Sequence, residues 1–180
     1  IAVGRYLAFA DTDNNDGIKI QHKFGKVVFD AYHATEASKV DVTGANINYV
    51  FDKDSELNVG FFTADQTANL TKRADFWNVG FSHHFGNGIS LVGDFVQSDE
   101  AGDPQAYAAQ LVYNWKSGKV QKGFYGWEKL VVPSIAHDQA VALSYFNAEA
   151  HSLPGYGNGD FKAFGAMTGA TDNAKGFVVS

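Results

Sequence analysis

The first run of residues with chemical potential is Asp11-Thr12-Asp13-Asn14-Asn15-Asp16-Gly17, whose spaced oxygens open like a calcium loop. An EF-hand loop needs Gly at its sixth position and a bidentate Glu at its twelfth, between two helices. Those positions hold Asp16 and His22, and the flanks read as strand. The expectation is a plain acidic loop, with weak cation binding as the alternative. His83-His84 suggests a metal pair, but neighbours on a strand point to opposite faces and cannot chelate one ion. Gly80-Phe81-Ser82-His83-His84 lacks the fifth-place Gly of a nucleophile elbow. Gly155-Tyr156-Gly157-Asn158-Gly159 has neither the spacing nor the basic residue of a phosphate loop. No catalytic residue, cofactor or metal site is assigned.

What does recur with fixed spacing is a set of polar side chains at alternate positions: Lys19, Gln21, Lys23, Asn46, Asn48, Asn58, Asn78, Ser82, His84, Ser90, Asp94, Gln110 and Asn114. Their chemistry is hydration. Lining a channel, such groups sustain a water column, and the charged ones bias the passage of ions. The alternative is the solvated outer face of a soluble sheet whose other side forms a core. The apolar side is unusually aromatic, and its aromatics gather at one set of strand ends, which a soluble core does not require. That favours the lumen.

These residues must be held by strands, because the governing period is two. In 44–51, Ala45, Ile47, Tyr49 and Phe51 oppose Asn46, Asn48 and Val50. The same alternation runs through 18–24, 57–62, 76–85, 89–96 and 107–115. Connections alternate in length. Gly25-Lys26, Asp52 to Glu56, Gly86-Asn87-Gly88 and Lys116-Ser117-Gly118 have the Gly, Asn, Asp and Ser of tight hairpin turns. Polar links that tend to be longer join the other ends: Asp11 to Gly17, Thr35 to Asp41, Asp65 to Arg73, and Asp99 to Asp103. An aromatic residue precedes each short turn: Phe24, Phe51, Phe85 and Trp115. Beyond Val131 the pattern weakens. Segment 139–148 reads as a strand, with a short helix folded into a barrel as its alternative. Segments 124–129 and 161–167 read as further strands, and 153–160 as loop.

Composition narrows the classes. Of 180 residues, 19% are charged and 14% aromatic, and there is no cysteine, so disulfide scaffolds and thiolate sites are excluded. A net charge of −6 without a Lys/Arg cluster argues against a nucleic-acid partner. Mean hydropathy is −0.20, and no apolar run is long enough for a transmembrane helix. A membrane β-barrel conceals its hydropathy, since alternate residues face the lumen. Short turns on one rim, longer loops on the other and aromatic residues where strands end are the marks of such a barrel.

The strand-turn-strand units Asn48-Tyr49-Val50-Phe51-Asp52-Lys53-Asp54, His84-Phe85-Gly86-Asn87-Gly88 and Val112-Tyr113-Asn114-Trp115-Lys116 resemble the porin barrels of bacterial outer membranes. The nearest likeness is to porins that carry an S-layer-homology domain ahead of the barrel. Val3-Gly4-Arg5-Tyr6-Leu7 and Asp172-Asn173-Ala174-Lys175-Gly176-Phe177 have a similar character. The resemblance covers most of residues 1–130 and rests on a pattern more than on a motif. It implies an all-β, antiparallel transmembrane barrel, single-domain over 1–180. It also implies a homotrimer in the outer membrane, in contact with the bilayer and lipopolysaccharide and passing small hydrophilic solutes, with an inward-folded loop narrowing each pore. Neither an S-layer-homology domain nor a closing strand with a terminal aromatic is read in these 180 residues. Roughly eleven strands can be counted, against the even numbers of bacterial barrels. The chain is therefore read as an internal piece of a larger barrel. A soluble lipocalin-like barrel for an apolar ligand, and a non-conducting structural barrel, are the alternatives.

Overall fold

A computed structural model of the chain describes residues 15–36, 41–65, 72–115, 139–153 and 174–179. These form nine strands: β1 (Asn15–Phe24), β2 (Val27–Glu36), β3 (Asp41–Val50), β4 (Ser55–Ala64), β5 (Ala74–Gly86), β6 (Ile89–Ser98), β7 (Gln105–Asn114), β8 (Ala140–Ala148) and β9 (Ala174–Val179). They make one antiparallel sheet in which spatial order follows chain order. No helix occurs among the described residues. The sheet is open: within those residues β1 pairs only with β2, and β9 only with β8.

All six alternating segments fall on strands, with Phe51 and Trp115 one residue past the ends of β3 and β7, and 139–148 is strand from Ala140 rather than helix. Val141, Leu143 and Tyr145 share one face there, the period-two arrangement that β-structure turns into a half-buried sheet surface. β2 is harder to read from its residues. Val27, Val28 and Phe29 run together, and Asp30 and Tyr32 both point to the buried face, so no simple alternation of polar and apolar marks it.

One expectation is corrected. The acidic run was expected as loop through Gly17, yet β1 already begins at Asn15. Asn15, Asp16 and Gly17 stand across from Glu36, Thr35 and Ala34, and ladder pairing with β2 overrides their turn propensity. β7 takes β8 as its next partner, with Asn114 opposite Ala140, and the short turn expected at Lys116-Ser117-Gly118 lies outside the described residues. Turn residues show where a chain can reverse, whereas pairing across the sheet decides which strand comes next. Residues 116–138 lie outside the described residues, as do segments 124–129 and 161–167, Asp11 to Asn14, and the 153–160 loop beyond Leu153.

The turn at Asn87-Gly88 shows the local physics. Both residues have positive φ, 51° and 78°, which a two-residue turn requires if it is to match strand twist, and which Asn and Gly tolerate best. A register shift between His84 and Gly86 precedes it. At the opposite ends of the strands a different device joins the connections. Lys72 Nζ donates to Asp99 Oδ2 at 3.0 Å, and the Asp75 N–H donates to Asp99 Oδ1 at 2.8 Å. Farther along, the hydroxyl of Ser98 donates to the carbonyl of His151 at 2.8 Å, bringing the start of the β8–β9 connection onto the end of β6.

Candidate functional site: a two-faced sheet

Strand register assigns every side chain to one of two faces, and the polar set falls entirely on one. Gln21 faces Asp30, and Asp30 faces Asn46. Asn48 faces Asn58, Asn58 faces Gly80, and Gly80 faces Asp94. Ser82 faces Val92, Val92 faces Gln110, and His84 faces Ser90. Lys19, Lys23, Asn78 and Asn114 complete the same face by alternation along their strands. This is the buried face. Asn58 and Asn78 are 0% exposed, and Asn46, Asn48, Ser90, Asp94, Gln110 and Asn114 are also buried. Ser82 and His84 are partly exposed, while Gln21 and Lys23 are open on the outermost strand.

Burying so many amides and carboxylates costs free energy unless each finds a partner. Several do. Asn78 Nδ2 donates to Asn58 Oδ1 at 3.0 Å, Gln110 Nε2 to Ser144 Oγ at 2.9 Å, and Gln21 Nε2 to Asp30 Oδ1 at 2.6 Å. Lys19 Nζ lies 3.4 Å from the same Asp30 oxygen. His84 Nδ1 and Ser90 Oγ are 2.6 Å apart. His83, on the other face, meets Ser55 Oγ at 2.8 Å, so the histidine pair is split as strand geometry demands. Asp30, Glu56, Ser98 and Ser144 belong to the buried face too, although the alternation argument did not single them out. Asp30 was concealed by the irregular pattern of β2.

The opposite face carries all twenty-one large apolar side chains that are exposed among the described residues. At roughly 70 Å² of exposed apolar area apiece they form a patch on the order of 1,500 Å², against roughly 300–600 Å² for the largest patch on a soluble monomer. Tyr49, Phe81, Leu111 and Tyr113 are among them.

The four strand-end aromatics lie on this face and form a line that crosses the register at a slant. Phe24 is level, through Val27, with Tyr49, two residues short of Phe51. Phe51 closes onto Ser55, which faces His83, two residues short of Phe85. Ile89, level with the end of β5, faces Tyr113, two residues short of Trp115. Three steps of two residues make six residues over the six strand spacings from β1 to β7. With about 3.3 Å per residue and about 4.8 Å between strands, a slant of this size puts the line about 35° away from the perpendicular to the strands. Behind each end ring stands a polar-tipped one: His22 behind Phe24, Tyr49 behind Phe51, His83 behind Phe85 and Tyr113 behind Trp115. Their ring centroids are 4.0, 4.7, 4.4 and 6.0 Å apart.

A second aromatic line, not picked out from the sequence, runs parallel to the first near the other strand ends. Phe61 faces Trp77, Phe95 faces Tyr107, and Tyr145 faces Phe177, each pair two residues lower in register than the last. Trp77 and Phe95 are in ring contact at 5.0 Å, and Tyr145 and Phe177 at 4.8 Å. Immediately outside it the face turns polar: Thr63 opposite Asp75, Gln97 opposite Gln105, Asn147 opposite Lys175. On β2 and β3 the aromatic place is taken by His33 and Thr43, hydrogen-bonded at 2.8 Å.

Glycines keep both faces close-fitting. A Cβ on Gly60 would collide with Asn46 Oδ1 and Asn78 Oδ1, and one on Gly93 with the Phe81 ring. Beyond the end of β6, desolvation pushes Asp99 upward, but the Asp75 N–H and the Lys72 ammonium outweigh it and hold its carboxyl below the usual range. Lys72 is raised in turn by its hydrogen bond to Asp99. No family model, curated protein or solved structure matches the chain.

Proposed function

We propose that this sheet is part of the wall of an outer-membrane β-barrel of the porin type, through which small hydrophilic solutes pass by diffusion. One observation carries the reading: a polar face turned away from solvent and an apolar face turned toward it, the latter bounded by two parallel aromatic lines. In water such an arrangement exposes its apolar surface and hides its amides, so it is stable only if the exposed face meets lipid. The dimensions fit. Trp77 and Phe85 are eight residues apart, about 26 Å along the strand and about 21 Å along the normal at a 35° tilt, against an apolar band about 25 Å tall. Outward exposure of Tyr49, Phe81, Leu111 and Tyr113 supports this over a lipocalin-like barrel, whose apolar side chains would point inward.

In this reading the thirteen alternating polar residues face the lumen. Phe24, Phe51, Phe85 and Trp115 sit at the interface on the short-turn side. The partners are the bilayer, lipopolysaccharide and two further copies of the chain in a homotrimer, and no cofactor takes part. The second reading is a barrel filled by its own side chains. It is favoured by the near-complete burial of Asn58, Asn78, Phe62 and Phe76 on the inner face. Planar-bilayer recording of the detergent-extracted native protein separates them. Stepwise ohmic openings in salt are expected for a channel. Protein that inserts as β-structure and never conducts would establish the filled barrel, and protein soluble and monomeric without detergent would end both readings.

A further inference from the structure

The buried face carries its charges unevenly. Among the described residues its acidic and basic side chains, leaving aside the phenol of Tyr32, are Lys19, Lys23, Asp30, Glu56, His84 and Asp94. Both lysines are on β1, and one of them, Lys19, is within 3.4 Å of Asp30. From β2 through β9 this face shows carboxylates and a histidine, and no lysine or arginine among the described residues.

An independent feature has the same sense. Asn46 Oδ1 and Gln110 Oε1 are buried carbonyl oxygens with no hydrogen-bond partner among the described residues. Asn46 is 3% exposed, stands opposite Asp30, and turns its oxygen over Gly60, where Asn78 Oδ1 converges on it. Gln110 has committed its Nε2 to Ser144, and it lies two residues along β7 from Ala108, the register partner of Asp94. Each carboxylate thus has beside it an amide oxygen in need of a donor or a cation, and away from β1 no lysine or arginine among the described residues of this face offers an anion an equivalent.

We infer that this face selects cations over anions, with Asp30 and Asp94 supplying the field and the carbonyl oxygens of Asn46 and Gln110 the local ligation. The inference rests on the channel reading above. In the low-dielectric wall of a narrow passage a carboxylate acts on an ion with less screening than in bulk water. Lys19 and Lys23 oppose it only along β1.

The test is the reversal potential of the reconstituted native protein under a potassium chloride gradient. A potassium-over-chloride permeability ratio of about three or more is expected, falling about twofold or more in Asp94→Asn, with Lys19→Gln shifting it the other way. Asp30→Asn should act like Asp94→Asn. Because Asp30 also holds Lys19 and Gln21, the isosteric change at Asp94 carries the test if the Asp30 variant does not insert. Conductance with no preference, with chloride preference, or with a ratio indifferent to Asp94→Asn overturns the inference and leaves the channel standing. Wild-type protein that inserts and passes no current overturns the channel and the inference together.

Discussion

Trp77 and Phe85 stand eight residues apart on the same face of β5, one in each of the two aromatic lines that bound the apolar surface. The polar neighbours outside Trp77, Thr63 and Asp75, mark how abruptly that surface ends. If the lines are membrane interfaces, Trp77 and Trp115 belong to opposite ones. In a Trp127→Phe background, single-tryptophan proteins carrying only Trp77 or only Trp115 should both be quenched more by labels near the headgroups than by labels at the acyl-chain ends. A membrane-impermeant quencher added to one side should reach one tryptophan and spare the other. Equal quenching of both from one side would count against the spanning arrangement.

Gly44 and Gly93 face different obstacles. A Cβ on Gly44 would come within 2.5 Å of Phe62 Cβ and 2.7 Å of the Phe61 carbonyl, which backbone pairing holds in place. On Gly93 the obstacle is the rim of the Phe81 ring, which can swing. Gly44→Ala should lower stability by about 1–3 kcal/mol, and Gly93→Ala by less than half of that. Denaturant unfolding of detergent-folded protein measures both, and the reverse order would contradict the assigned register.

Asn87 holds a φ of 51° in its two-residue turn. A β-branched residue resists that conformation, so Asn87→Val should cost about 1–3 kcal/mol and Asn87→Gly very little. The comparison requires only unfolding curves for the two variants, and equal losses would argue against the turn.

The clasp of Lys72 and Asp99 has a defined pH window. Asp99 is depressed below the ordinary aspartate value of 3.8, so its contribution is present above that value and disappears as pH falls through the lower folded one. Lys72 is raised above 10.5, so its contribution is present below that value and is lost as pH rises through the higher folded one. Between these limits the link should be insensitive to pH. Both groups are largely exposed, so the effect is local. Protease cleavage of the connections flanking β5 and β6 should be flat from pH 5 to about pH 9 and increase at mid-range pH in Asp99→Asn. A wild-type cleavage rate that changes steeply near neutrality would contradict the assignment.

Period-two alternation was enough to place the six segments containing Ile20, Ile47, Val59, Val79, Phe95 and Leu111, and to put thirteen polar residues on a common face. That follows from strand geometry alone, because successive side chains must point opposite ways. The turn residues marked the short reversals at Gly25-Lys26 and Asn87-Gly88 for an equally local reason. Three matters needed the tertiary structure. Asp30 joins the buried face because β2 is held in register between β1 and β3, although its own residues do not alternate cleanly. β8 is the neighbour of β7 because strand pairing is a contact between segments far apart in the chain. The second aromatic line exists only once Trp77, Tyr107 and Phe177 are brought into step by the stagger between strands. The sequence by itself determined which side chains share a face, since that is a property of one strand. Only the sheet decided which residues share a level, since that is a property of how strands are paired.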